Sequence, residues 1–456
     1  MNRRPFLCGL LLVSLLLSPV ALAQHYDFRE IRLDNGLRVV TLEDFSTPIV
    51  AAHVWYHVGS KNEDPNRQGF AHLFEHLMFR GTDRLGPKDH FEFVQRVGGD
   101  CNAFTSFDYT AYVNTVPSNQ LELVLWLEAE RMMYLDVDQE NFATERQVVE
   151  EERRQDLNEP YGTVAEKVLP VVFRELPYRW TPIGQIPHLE SASVEEVKAF
   201  WETFYVPANA VLVIVGAVKH EEAQEMARRY FGWMPKCPDP PRVIAEEPPQ
   251  EEPREATLEE ARGPVPLAGY IFRGLPEADP DYVPLEVLMG VLGYGESSRL
   301  YLDLVKQQKI ASQVMADTYG FEKGGVFGAG AALAPGSQDI DKVLAAIGEH
   351  LQRVIDEPVS EREMEKVKNQ LRRRLVTDLM TVANKARLLG EATVVHGDPD
   401  WLNRQIDRID RVTVDDLQRV AKRYIVPERR STIRVVPNPE AELPAQAAGP
   451  ESVPRT

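Results

Sequence analysis

The sequence is poor in cysteine, and after its first residues it has no long hydrophobic run. Three cysteines occur in 456 residues, and none of them forms the C-x-x-C pattern of a structural zinc or redox site. Cys101 and Cys237 remain after the N-terminal segment, and their positions leave open whether they form a disulfide. Since no later apolar run is long enough to cross a bilayer, we expect no membrane span.

Basic residues are also scarce relative to acidic ones. The chain has 51 Lys and Arg against 70 Asp and Glu, and its formal net charge is −19. A surface of this sign repels phosphates, so nucleic acid is not expected as a partner. The acidic excess fits either simple solubility or a negative cavity that attracts basic peptides, and composition does not separate the two.

The first 23 residues have the pattern of an export signal. Arg3 and Arg4 form a basic start, and Leu7 to Leu17 is an apolar stretch too short to remain as a membrane span. Ala21-Leu22-Ala23 is an A-x-A cleavage site. We therefore expect cleavage after Ala23 and a mature protein that is periplasmic or secreted.

Residues 69–79 contain two histidines and a glutamate in the pattern H-x-x-E-H. On a helix, His72, Glu75 and His76 share one face. Two imidazoles can bind one metal ion, and a carboxylate beside them can accept a proton from the water that the metal activates. The alternative is a buried helix whose histidines are satisfied by hydrogen bonds. Because three titratable groups on an apolar face are costly without an ion, a metal site is favoured.

A catalytic zinc site needs a third protein ligand. The segment 145–154 is helix-like, and its Glu145 and Glu152 are seven residues apart, so they also share a face. A solvated charged helix would have the same composition, so these two acids alone do not decide between the readings.

These residues resemble the pitrilysin/insulinase family of zinc peptidases, and within it the mitochondrial processing peptidase-like branch. In that family the H-x-x-E-H motif is followed by a ligand glutamate about 76 residues later, and Glu152 lies 76 residues after His76. The resemblance implies that His72, His76 and Glu152 bind one Zn²⁺ per chain. It also implies that Glu75 is the general base and that Glu145 is a supporting carboxylate.

An internal repeat indicates two similar halves. The segments that begin at Ser193 and Thr413 each start with a capping box, pass a proline and enter a β-branched strand, at a constant offset of 220 residues. A proline-rich acidic stretch lies between the halves and predicts an extended linker. The predicted organisation is a signal (1–23), an N-terminal zinc-binding catalytic domain (24–235), a linker (236–256), a homologous C-terminal domain (257–436) and a disordered tail (437–456).

The family resemblance covers residues 28–436 and implies the fold class. This is an α+β fold of two homologous α/β domains, each a mostly antiparallel sheet packed with helices, which together form half of a clamshell. The segment 102–117 is β-rich, and in the family it provides an edge strand that takes the substrate as an added strand. By that likeness, Asn102, Ala103 and Phe104 would bind substrate. From the sequence alone, an ordinary strand is an equal alternative.

The second half departs from the family after Gly295-x-Ser297-Ser298-Arg299-Leu300-Tyr301. Self-contained family members then have an Arg and a Tyr that hold the substrate, but here Val305 and Ser312 occupy those positions. Neither side chain can supply the charged or phenolic donor that a developing oxyanion needs.

The sequence thus predicts a zinc-dependent endopeptidase that acts on peptides or unfolded polypeptides. We expect it to work with a homologous partner in a heterodimer, and a self-sufficient homodimer is the alternative. A non-catalytic binding or assembly subunit is the rival from another class, and a hydrolase of non-peptide substrates is a third interpretation.

Overall fold

The computed structural model describes residues 25–441. The predicted signal (1–23) and residues 442–456 of the predicted tail lie outside this range. Between them the chain forms two β-sheets with helices packed against them, which confirms the α+β class and its two sheet-containing units. Two strand boundaries differ from expectation, because Pro437 ends a strand and Arg254 begins one within the predicted linker.

The first sheet has six strands in the order β1-β2-β6-β3-β5-β4. Asn35 and Gly36 lie in the turn between β1 and β2, and Gly36 has the positive φ of 97° that favours glycine there. The β-rich segment 102–117 is two strands, of which β4 lies at the edge and pairs with β5. The strands are β1 (Phe28–Arg32), β2 (Arg38–Glu43), β3 (Ile49–Tyr56), β4 (Asp100–Thr105), β5 (Thr110–Pro117) and β6 (Ala210–Gly216).

The helices of the first half share its core with the strands. An apolar cluster between the sheet and these helices includes Tyr56, Phe74, Tyr112 and Leu125, all fully buried. The helices are α1 (Phe70–Leu77), α2 (Asp89–Arg96), α3 (Leu121–Tyr134), α4 (Gln139–Asn158), α5 (Val164–Val172), α6 (Ile186–Glu190), α7 (Val194–Phe204) and α8 (His220–Phe231).

The second half repeats this topology without a counterpart of β1. Its five-stranded sheet has the order β7-β11-β8-β10-β9, which matches β2-β6-β3-β5-β4 strand for strand, including the single parallel pair. The strands are β7 (Arg254–Glu260), β8 (Leu267–Gly274), β9 (Ala311–Gly320), β10 (Gly325–Leu333) and β11 (Arg430–Pro437). The helices are α9 (Tyr282–Gly293), α10 (Ile340–Asp356), α11 (Glu361–Asp378), α12 (Val382–Val395), α13 (Trp401–Arg411) and α14 (Val414–Tyr424).

The repeated capping boxes form as predicted. Ser193 and Glu196 cap α7 reciprocally, and Thr413 and Asp416 cap α14 in the same way. A third box at Ser360 starts α11, which ends at Asp378 because Thr381 caps a new helix.

Each half contributes one helix that packs on the sheet of the other half. Helix α5 belongs to the first half but packs on the second sheet, where Val168 and Val172 meet Ile433 and Val435. Helix α12 belongs to the second half but packs on the first sheet. There Gly390 lies so close to Trp55 that a Cβ at this position would be 2.2 Å from the indole nitrogen. The halves therefore share two apolar interfaces.

Neither cysteine is in a disulfide, since Cys101 and Cys237 are both free thiols. Across residues 25–441, the helices lack the combination of length and hydrophobicity that crossing a bilayer requires.

Candidate metal centre

The motif helix α1 is capped from outside by Glu63. Its carboxylate accepts hydrogen bonds from the backbone N–H groups of Gly69 (3.0 Å) and Ala71 (2.9 Å), in the first turn of the helix. Gly69 has a φ of 92°, and the helix begins directly after it. Leu73, Phe74 and Leu77 are buried on one side, which leaves the other side for the polar residues. Glu63 was not anticipated from the sequence.

The structure brings His72, His76 and Glu152 together. The two histidines leave α1 one turn apart, and Glu152 comes from α4, which packs beside it. One carboxylate oxygen of Glu152 is 3.7 Å from His72 Nε2, and the other is 3.2 Å from His76 Nε2. All three potential ligand atoms lie within 4.8 Å of one another.

This donor set fits zinc. Two imidazole nitrogens and one carboxylate oxygen form a common catalytic zinc set with a fourth position left open. Zinc–ligand bonds of about 2.0–2.1 Å separate tetrahedral ligands by roughly 3.4 Å, close to the two distances from Glu152. Burial lowers the pKa of His72, which keeps its imidazole in the neutral form that binds metals.

Glu145 and Arg80 orient His76. Glu145 Oε2 is 3.3 Å from His76 Nδ1, and the Arg80 guanidinium donates to Oε1 of the same carboxylate. A carboxylate on the second ring nitrogen fixes the tautomer and turns Nε2 towards the metal position. Burial alone would lower the pKa of His76, but its hydrogen bonds to Glu145 and Glu152 outweigh burial and raise it to about 9. Metal binding at His76 must therefore release a proton near neutral pH.

Glu75 lies beside this set without belonging to it. One of its oxygens is 4.0 Å from His72 Nε2 and accepts a 2.8 Å hydrogen bond from the Thr105 hydroxyl. Burial is the largest effect on Glu75 and raises its pKa, which increases its basicity as a proton acceptor. Thr105 stands in the family-like stretch around Asn102, but the sequence did not indicate its contact with Glu75.

A cavity of about 280 Å³ lies beside α1, and of the three proposed ligands only His76 lines it. Asn102 and Ala103 line it, together with Glu75, His76 and Glu145. Phe104 does not line this cavity. The Phe104 ring packs instead against Trp55, with centroids 5.5 Å apart.

Among the described residues of the second half, up to residue 441, no equivalent metal set occurs. Helix α9, which corresponds to α1, contains no histidine. Val305 and Ser312, which stand where the family has Arg and Tyr, both make contacts within the second half. The Ser312 hydroxyl donates to the carbonyl of Leu333 (3.1 Å), and Val305 packs on the core of the second half.

Two family models match the chain. One, described as Insulinase (Peptidase family M16), matches residues 38–180, and another, described as Peptidase M16 inactive domain, matches residues 191–371. Together they cover more than half of the 456 residues. The metal centre falls within the first match, and α9 falls within the second.

Individual relatives agree with these matches. The zinc protease PqqE of Helicobacter pylori is 29% identical over 440 residues, which cover 94% of this chain and 98% of that protein. A probable mitochondrial-processing peptidase subunit beta of Arabidopsis thaliana is 26% identical over 402 residues, which cover 86% of this chain and 75% of that protein.

Solved structures have the same fold. The crystal structure of a protease from Helicobacter pylori superposes with a TM-score of 0.86 at 28% identity, over 90% of this chain and 100% of that chain. The periplasmic protease PqqL of Escherichia coli shares the fold, with a TM-score of 0.76 at 19% identity, over 91% of this chain but 48% of that longer chain. The chain therefore belongs to peptidase family M16, the insulinase family, as its H-x-x-E-H motif and the spacing to Glu152 predicted.

Proposed function

We propose that this protein is a zinc-dependent endopeptidase that hydrolyses peptides or unfolded polypeptides. The main supporting observation is that nitrogen and oxygen atoms of His72, His76 and Glu152 converge within 4.8 Å, with a Glu75 oxygen 4.0 Å from His72 Nε2. Relatives that are named zinc proteases support the same chemistry.

In the proposed mechanism, His72, His76 and Glu152 hold one Zn²⁺ per chain. The ion would supply the Lewis acidity that activates water and polarises the scissile carbonyl. Glu75 accepts the proton of the attacking water and passes it to the leaving amine nitrogen. The Thr105 hydroxyl holds the Glu75 carboxylate in place beside His72. Glu145 keeps the His76 ring in place.

The edge strand β4 is suited to hold the substrate. It pairs with β5 on one side, and its other edge is unpaired in the part of the chain that the structure describes. An extended peptide can add to such an edge through backbone hydrogen bonds, which gives loose side-chain specificity. Asn102 and Ala103 line the adjacent cavity, so an added strand would run past Glu75.

The functional unit that we propose contains a second chain. Val305 and Ser312 offer no oxyanion donor, and Ser312 is already bonded to the backbone. This chain aligns with 48% of the longer PqqL chain. Two homologous chains together would therefore have about the length of PqqL. A homologue that supplies the Arg and Tyr is the preferred partner, and a second copy is the alternative. Mixing with such a homologue should raise turnover, whereas unchanged turnover would count against the idea.

We propose that the mature protein is periplasmic or secreted, because residues 1–23 have the pattern of a cleaved export signal. N-terminal sequencing of protein from its native host should begin at Gln24. A mature chain that still begins at Met1 would contradict export by cleavage.

The central experiment compares wild type with Glu75→Gln. Metal analysis should give one zinc per chain for both proteins, and only wild type should cleave unstructured peptides, with a loss of about 10³-fold or more in the variant. The control Glu140→Gln removes an exposed acid from α4 and should leave cleavage unchanged. A binding or assembly subunit would instead lack stoichiometric zinc and show no effect of Glu75→Gln.

A further inference from the structure

Two hairpin tips meet where the halves of the chain touch. The tip between β4 and β5 contains Phe107-Asp108, and the tip between β9 and β10 contains Phe321-Glu322, so each presents an aromatic ring followed by an acid. The two rings pack with centroids 4.8 Å apart. The backbone N–H of Glu322 donates to the Asp108 carboxylate over 3.0 Å.

Lys61 is buried between the two acids. Its side chain is 4% exposed, and its ammonium donates to Asp108 Oδ1 over 3.0 Å and to the Glu322 carboxylate. His57 Nε2 lies 3.3 Å from the same nitrogen and forms a hydrogen bond with the Glu322 carboxylate, so Lys61 and His57 meet on one acid. A charge buried this deeply is tolerated because it is paired with an acid from each half.

The turn that contains Lys61 (Ser60–Asn62) lies shortly before the motif helix α1. Ser60 and Lys61 donate backbone hydrogen bonds to the carbonyls of Ser106 (3.3 Å) and Phe107 (3.0 Å), which fasten the turn to the β4–β5 tip. Two residues after Lys61, the Glu63 carboxylate caps α1 next to His72. The turn is therefore joined to both the hairpin tip and the metal helix.

The contact between turn and tip leaves no room for adjustment. A Cβ added to Gly59 would lie 2.4 Å from the carbonyl oxygen of Ser106. The same tip continues from Thr105, whose hydroxyl holds Glu75. A shift of this turn would consequently move α1, with His72 and Glu75 on it, relative to Thr105 on β4.

We propose that Lys61 is a positioning residue for the metal centre, acting through Glu63 and Thr105. It clamps the turn between an acid of each half and thereby fixes where α1 begins relative to β4. Burying an ion pair costs desolvation energy, but its hydrogen bonds fix the position of the turn against the two hairpin tips. Apolar packing could join the halves without fixing that position. This inference rests on the proposed function for its catalytic readout and on the proposed zinc site for its affinity readout.

The test uses the full-length protein and measures zinc affinity by chelator competition. Lys61→Met removes the clamp, and Glu322→Gln weakens it while the Lys61–Asp108 pair stays intact, so the second variant serves if the first does not fold. The control Lys323→Gln changes a charge on the same tip and keeps the backbone N–H that donates to Tyr178 (3.1 Å). Thermal unfolding identifies a temperature at which all variants are folded.

We expect zinc to dissociate about 10-fold more readily from Lys61→Met, and less so from Glu322→Gln, with Lys323→Gln equal to wild type. With zinc saturating, kcat for an unstructured peptide should fall while KM stays within about twofold. Lower thermal stability with unchanged zinc affinity and unchanged kcat would overturn the inference. If wild type cleaves no peptide, the proposed function fails, and zinc affinity alone then decides about Lys61.

Discussion

Glu145 faces the ring nitrogen of His76 that is turned away from Glu152. Its Oε2 atom is 3.3 Å from Nδ1, while the Glu152 carboxylate is 3.2 Å from Nε2. His76 is thus held between two acids of the same helix, the proposed supporting acid Glu145 and the proposed ligand Glu152.

Replacing Glu145 should weaken metal binding without removing a ligand. We expect Glu145→Gln to lower zinc affinity by about 10- to 100-fold, because the amide holds the imidazole less firmly and makes it a poorer donor. Chelator competition measures this change. Glu151→Gln is the matched control, since Glu151 is exposed next to the ligand and pairs with Arg154. If Glu151→Gln weakened binding as much, the assignment of Glu152 would be wrong.

Removing the metal should destabilise the folded chain. At a free zinc concentration about 1,000 times the dissociation constant, binding adds about 4 kcal/mol to the free energy of unfolding. A chelator should therefore lower the melting temperature of wild type, and zinc should restore it. Glu152→Ala should melt at one temperature with or without chelator. A chelator effect that persists in this variant would place the stabilising ion elsewhere.

The junction between the halves should weaken in acid. Burial favours the protonated form of Glu322, but its hydrogen bond to His57 and the charge of Lys61 prevail and lower its pKa to about 2. A folded pKa below the unfolded value of about 4.3 means that this stabilisation is complete above about pH 4.3 and disappears as the pH falls towards 2.

The free energy of unfolding of Glu322→Gln should accordingly be about 2 kcal/mol lower than that of wild type at about pH 7. At about pH 3.5 this difference should be smaller. Urea unfolding of both proteins at several pH values measures it. A gap that does not change with pH would show that the carboxylate charge does not stabilise the junction.

The packing of α12 on the first sheet can be tested at Gly390. An added methyl group would meet the Trp55 indole at 2.2 Å, so Gly390→Ala should lower the free energy of unfolding by about 1–3 kcal/mol or more. Gly348→Ala is the control in α10, where the nearest atom would be 3.6 Å away. That change should leave stability unchanged or raise it by up to about 1 kcal/mol. Equal losses in urea unfolding would refute the tight contact.

Local patterns were sufficient to predict much of the centre. The spacing of His72, Glu75 and His76 is a property of one helix, so it could be read without knowing the fold. The capping boxes at Ser193 and Thr413 are equally local, and the 220-residue offset between them revealed the repeat. Glu152 was reached through the spacing known from the family, because nothing in its own helix distinguishes it from Glu151.

Other features depend on packing that no local pattern records. Glu63 looks like any surface acid until the loop folds back onto the first turn of α1. Thr105 and Glu75 come from different elements, and only the position of β4 beside α1 joins them. Phe104 is a similar case, because only the folded structure shows its ring packed against Trp55, away from the cavity that Asn102 and Ala103 line.

The exchange of α5 and α12 bears on how the protein could be cut. Each half covers an apolar sheet of the other, as where Val168 meets Ile433 and Gly390 meets Trp55. A nick in the segment between α8 and β7 would thus leave two fragments that remain bound to each other. Either fragment produced alone would expose a bare sheet and aggregate, whereas the two made together should reassemble into a working whole.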